Sequence, residues 1–132
     1  MSNWYYKGKE ILEIPKDSVS FVYRIVIDDK AYIGKKNFYR KKTMPPLKGK
    51  KRKRVSTVES NWKTYCSSSS DIEELVRKGY EPERCIIRVC YSLKEATYFE
   101  IKHIMEEIHN DWNLNGNVSG KFYKKEIMEW QR

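Results

Sequence analysis

One acidic residue of this chain falls where an acid is costly. A helical pattern opens after Ser92 and runs to about His109, and at about 100° per residue Leu93, Ala96, Thr97, Ile101, Ile104 and Ile108 share one stripe. Glu100 lies inside that stripe, whereas Glu95 and Glu106 lie opposite, where a solvated helix face carries acids. Burying a lone carboxylate costs on the order of several kcal/mol unless it is paired or binds a metal. Glu100 therefore needs a basic neighbour or a cation, and spacing alone leaves both open. Glu107 shares the stripe but, nearer the helix end, is expected to reach water, and His103 is expected to border the core or contact Glu107.

A second signal is charge. Between Lys35 and Arg54 stand eleven basic residues (Lys35, Lys36, Arg40, Lys41, Lys42, Lys48, Lys50, Lys51, Arg52, Lys53 and Arg54) and no acid. The whole chain carries +9, so without this block the remainder is at −2. Concentrating the excess in one stretch suits a phosphate-binding surface better than general solubility. Phe38, Tyr39, Trp62 and Tyr65 flank the block and offer faces on which bases could stack, so Trp62 is counted with the nucleic-acid-binding residues. A solvated basic loop, or a localisation signal at Lys50 to Arg54, is the bland alternative.

The elements that must position these groups follow from period and punctuation. A length of 132 residues allows one domain, and four Trp, ten Tyr and four Phe give it large groups to bury. Trp4 to Ile14, around Lys7-Gly8, suggests a lead-in hairpin or edge strand; Phe21 to Ile27, Asp28-Asp29-Lys30 and Ala31 to Ile33 read as a hairpin. Pro45, Pro46 and Gly49 mark residues 40–54 as a mobile loop. Ser56-x-x-Glu59 is a capping box for a short helix holding Trp62, and Ser70-x-x-Glu73 caps a helix over Asp71 to Lys78, closed by Gly79. Glu83 to Tyr91 reads as a strand, Ser92-x-x-Glu95 opens the longest helix, residues 112–120 are turns, and Lys121 onward is a polar tail. Cys66, Cys85 and Cys90 show no metal or disulfide spacing, and Cys85 and Cys90 are read as small core residues. No apolar run approaches the roughly 18–20 residues of a membrane span, so a cytoplasmic protein without membrane contact is expected.

Phe21-Val22-Tyr23 followed by Tyr32-Ile33-Gly34 resembles the paired triplets of the GIY-YIG nuclease superfamily, with Phe21 where the name has glycine. Lys35 and Lys36 directly after the second triplet, Arg52 or Arg54 with Tyr65, Glu95-Ala-Thr-Tyr-Phe-Glu100, and Asn115 or Asn117 follow in the order of that superfamily. The Pro-Pro and Gly-Lys-Lys-Arg loop, Glu59 to Ser68, and Asn115 to Phe122 look like its short phage-encoded homing endonucleases, and the resemblance spans about residues 20 to 123.

The resemblance implies an α/β (α+β) domain: a small mixed or antiparallel three-stranded sheet flanked by helices, with an amino-terminal extension over 1–19, the nuclease domain over 20–123 and a tail over 124–132. It implies a metal-dependent endonuclease acting on DNA, with Glu100 holding Mg²⁺ (or Mn²⁺), an ion that commonly takes one or two carboxylates. Tyr23 would activate water and Tyr32 would orient or share that task. Free tyrosine titrates near about 10, so Lys35 and Lys36 would have to lower it. Arg54 would clamp the phosphate, with Arg52 and Arg40 behind it, and Tyr65 and Asn115 would complete the catalytic set. One active site cuts one strand per visit, so a homodimer is one route to double-strand cutting. A non-catalytic nucleic-acid-binding module on the same scaffold, or an RNA-binding protein, is the competing class.

Overall fold

The computed structural model describes residues 3–131. Its centre is a five-stranded mixed sheet in the order β2-β1-β7-β3-β4, formed by β1 (Trp4–Tyr6), β2 (Lys9–Ile11), β3 (Ser20–Ile27), β4 (Lys30–Asn37) and β7 (Glu83–Cys90). The sheet is therefore larger than the three strands expected, because the lead-in hairpin joins it through β1, which runs parallel to β7. Every other pairing is antiparallel. Both hairpins close by two-residue turns with positive φ at each central position, Lys7 (51°) with Gly8 (79°) and Asp28 (46°) with Asp29 (60°). That is the type I′ geometry, whose twist matches paired strands and which Asp tolerates better than most residues.

β3 is the spine. Phe21, Tyr23, Ile25 and Ile27 face one layer with Trp4, Phe38, Trp62 and Ile72, while Val22 faces another with Ile33, Cys90, Ala96, Ile104 and Ile108. The second layer belongs to α2 (Leu93–Glu107), whose first turn is capped by the Ser92 hydroxyl accepting from the Glu95 N–H. The first is covered by residues 60–69 and by α1 (Ser70–Arg77); its cap is Ser69, which accepts from Ile72 N–H, one residue before the Ser70 expected. A bulge between Val22 and Tyr23, where β7 carries one extra residue, re-aims the strand beside Tyr23.

Several expectations are corrected. Residues 40–54 are not a loop: β5 (Tyr39–Met44) and β6 (Arg54–Glu59) form a two-stranded antiparallel ribbon, and Pro45, Pro46 and Gly49 occupy only its tip. The same pairing removes the helix expected at Ser56 to Glu59, since Val55, Thr57 and Val58 favour the ribbon. Trp62 is fully buried (0% exposed), edge-on to Phe21 and Phe38, while its carbonyl accepts from Trp4 Nε1 at 2.7 Å. A ring sealed in the core cannot stack on a base, so Trp62 leaves the nucleic-acid-binding set. Cys90 is buried but Cys85 is exposed. Glu107 does not simply reach water: it pairs with Arg24 at 3.0 Å, and His103 meets Glu106 at 3.5 Å. After a small β8 (Asn117–Val118) and β9 (Phe122–Tyr123) pair, the polar tail includes α3 (Lys124–Glu129), whose Ile127 packs on the α2 layer. Among the described residues no helix is long and apolar enough to cross a membrane.

Candidate active site

β4 is an edge strand, and the outward peptide groups of Ala31, Ile33 and Lys35 need partners. Ala31 N–H donates to Trp112 O (2.9 Å) and its carbonyl accepts from Leu114 N (2.7 Å). Ile33 N–H donates to Asn115 Oδ1 (3.0 Å), and Asn115 Nδ2 donates to Ile33 O (2.8 Å). The Lys35 N–H lies near the Glu100 carboxyl and helps hold its pKa down. The edge is thus closed at Ala31 and Ile33, and beyond them the Lys35 peptide faces an acid.

Asn115, expected among the catalytic groups, is 4% exposed with both ends of its amide committed to Ile33, and Asn113 Nδ2 adds a third bond to its oxygen at 3.0 Å. It is a clamp that fixes β4 between Tyr32 and Gly34, not a group free to meet substrate. Asn117 serves a turn, accepting from Gly120 N at 2.8 Å. Asn115→Ala strips both partners from a buried peptide group, so urea denaturation is expected to show a loss of about 1–3 kcal/mol.

The two-residue turn sets Tyr23 opposite Gly34 and Tyr32 opposite Ile25, two steps apart on the same face, with ring centroids 6.4 Å apart. Tyr65 joins them, edge-on to Tyr23 at 6.0 Å. Tyr65 and Ser67 neighbour the Tyr23 phenol, and Ser68 neighbours the Tyr32 phenol. The main chain reaches these positions through Ser67, held at φ 76°. Arg84, 2% exposed within β7, fixes the approach: its Nη1 donates to Lys63 O (2.9 Å) and Tyr65 O (2.8 Å), and its guanidinium lies over Trp4. Ser67, Ser68 and Arg84 were not among the expected site residues. The serines carry no signal in the sequence, but a charged residue alternating with Ile86 in an apolar strand marks a buried cation that needs acceptors.

Burial, then the neighbouring Tyr65, pushes the Tyr23 phenol well above the ordinary tyrosine range. Burial and then the Glu100 charge raise Tyr32. The lowering expected from Lys35 and Lys36 is absent among the causes acting on these two phenols, and the register shows why. Lys35 points to the α2 layer, where its Nζ donates to Thr97 Oγ1 at 2.6 Å. Lys36 is on the tyrosine face, but its ammonium sits over the Tyr65 ring at 4.3 Å, and burial lowers its own pKa.

Glu100 is half-buried, makes no ion pair among the described residues, and has its carboxyl raised by burial, a rise partly offset by the Lys35 charge and the Lys35 N–H. No group of three or more His, Cys, Asp or Glu is gathered among the described residues. A cation at Glu100 would take one protein carboxylate, which suits a hydrated hard ion and not zinc.

The arginines divide. Arg54 lies at the far end of the ribbon, opposite Met44, its Nε donating to Pro45 O at 3.2 Å. That is about five strand steps, roughly 17 Å, from the ribbon's root. Arg52 is in the tip. Arg40 alone of the three is at the root, where it lines an open groove of about 900 Å³ with Lys35, Lys36, Lys41, Tyr39 and Tyr91. A fixed ribbon register does not let Arg54 fold back as a loop would, so of the three arginines only Arg40 stands beside this groove.

A half-buried carboxylate thus stands near phenols and ammonium groups at the edge of a small mixed sheet. Residues 4–127 match the family model described as "Putative endonuclease segE, GIY-YIG domain". Over 121 residues the chain is 30% identical to Intron-associated endonuclease 2 of Enterobacteria phage T4, covering 91% of this chain and 41% of that protein. No solved structure matches it. The chain belongs to the GIY-YIG endonuclease family, enzymes that hydrolyse phosphodiester bonds. It spans about two fifths of the phage relative's length.

Proposed function

We propose that this domain is a divalent-metal-dependent DNA endonuclease of a mobile-element or DNA-degrading kind, with Glu100 as its protein ligand to Mg²⁺ or Mn²⁺. The observation that carries the reading is a half-buried carboxylate near the Tyr32 phenol, without an ion pair among the described residues. When bound, the ion neutralises phosphate charge and polarises the leaving oxygen.

Tyr32, rather than the sealed Tyr23, handles the water in this proposal. Tyr23 is 1% exposed, whereas Tyr32 is only partly covered and is the phenol that feels the Glu100 charge. With that charge neutralised, one cause holding the Tyr32 proton is removed. Tyr23, inside the core, fixes the positions of Tyr32 and Tyr65, and Tyr65 is the neutral phenol left to donate to the phosphate. Lys35, Lys36 and Arg40 line the groove along which the scissile strand approaches. One such site cuts one strand per visit, so double-strand cleavage needs a second copy or a second encounter.

Supercoiled plasmid incubated with the protein tests the reading. Nicked circles are expected with Mg²⁺ or Mn²⁺, none in EDTA, and recovery on restoring the ion. Cutting that persists in EDTA contradicts the metal. Binding without cutting in any divalent ion favours the non-catalytic module.

A further inference from the structure

The β5–β6 ribbon touches chiefly itself, and both of its faces are largely exposed. A two-stranded hairpin alone in water is marginally stable, and the fold supplies little cover for this one. Residues 39–59 hold nine basic residues and one acid, Glu59. Across the strands Arg40 faces Val58, Lys41 faces Thr57 and Lys42 faces Ser56, and none of these cations is in an ion pair among the described residues. The charge is unspent and matches a polyanion. The tip is built as well as exposed: Lys50 N–H donates to Leu47 O at 2.8 Å, Gly49 takes the positive φ (79°) of a type II turn, and Pro45-Pro46 stiffen the approach. Leu47, 53% exposed, is an apolar side chain held out among lysines.

We propose that this ribbon is a docking arm that follows a groove of duplex DNA beside the cleavage site and wedges Leu47 between base pairs from the minor groove, bending the duplex. The proposal rests on the reading of the chain as a DNA endonuclease. β-Ribbons are used in either groove, and apolar wedges of Leu or Pro unstack a base step and kink the helix toward the major groove. The arm's cations neutralise the flanking phosphates while only the narrow turn enters the stack. The bend would hold the strand beside the groove at the ribbon's root, where Arg40 and Lys41 sit.

A duplex of about 40 base pairs carrying a fluorophore pair at its ends tests the arm in EDTA. Wild type is expected to shorten the end-to-end distance. Leu47→Ser is expected to abolish the bend and weaken binding roughly tenfold with the salt slope unchanged. The double variant Lys41→Gln/Lys42→Gln is expected to keep the bend but reduce the log–log salt slope by about 2, near 0.9 per lost phosphate contact. An unchanged bend in Leu47→Ser, or an unchanged slope in the lysine variant, overturns the proposal. Plasmid cleavage in Mg²⁺ read in parallel separates the cases: a nuclease that cuts but does not bend loses the arm alone, and a protein that bends but never cuts loses the catalytic reading alone.

Discussion

Glu100→Gln is expected to lower DNA cleavage on the order of 10³-fold or more while leaving DNA affinity within about twofold. At 1.36 kcal/mol per tenfold, that is about 4 kcal/mol of transition-state stabilisation. Gln keeps the shape of the side chain, and β4 stays held by β3 and Asn115, but it is neutral and a poor ligand for a hard dication. The substitution has a second signature, because burial holds the Glu100 carboxyl above the ordinary glutamate value of 4.5. Between 4.5 and that raised value the folded chain binds the proton more tightly than the unfolded one. Stability therefore falls as pH rises through that window and stays lower above it. Glu100→Gln has no such proton to lose. It should melt at a higher temperature than wild type at pH 8, and the difference should shrink as pH falls below the window. A variant that is more stable and inactive is what a carboxylate kept for catalysis predicts. A salt-bridging glutamate would give a less stable one.

The other large effect is expected at Gly34. A Cβ there would stand 2.6 Å from Tyr23 Cζ and closer still to Tyr23 Oη. The ring has nowhere to go: it is packed against Trp4, Phe21 and Tyr65. Gly34→Ala is therefore expected to cost about 1–3 kcal/mol of folding stability, the usual scale of overpacking. It should also lower cleavage roughly 10²-fold, since displacing Tyr23 disturbs the phenol cluster. Chemical denaturation and single-turnover cleavage measure the two losses. Adding Tyr23→Phe, which removes the nearest atom, should recover part of the stability without recovering activity. A Gly34→Ala protein as stable and active as wild type would mean that the close approach of ring and strand is not needed.

Glu100 was legible because helical period is a local property, and the same arithmetic that exposes an apolar stripe exposes an acid inside it. The β3–β4 hairpin was legible because Asp28-Asp29 sits between two β-branched and aromatic runs. The two outer strands were harder to place, since β1 has three residues and gains its partner β7 from about eighty residues away. The ribbon was misread because prolines and glycine at its tip are conspicuous, while lysine-rich β5 has little strand propensity of its own and depends on Val55, Thr57 and Val58 opposite. Trp62 beside a basic block looks like a stacking platform until Phe21 and Phe38 are seen to enclose it. Asn115 was found by its place in the motif, but its function as a clamp depends on an edge strand that no local pattern announces. Ser67 and Ser68 depend on a left-handed residue in an irregular segment, where composition carries no period to read.

Anomalous diffraction from a crystal soaked in Mn²⁺ tests whether Glu100 holds the cation. A manganese peak is expected at the Glu100 carboxylate, on the side facing Tyr32. A map with no metal there, and the carboxylate turned instead into an ion pair with the Lys35 ammonium, would contradict it.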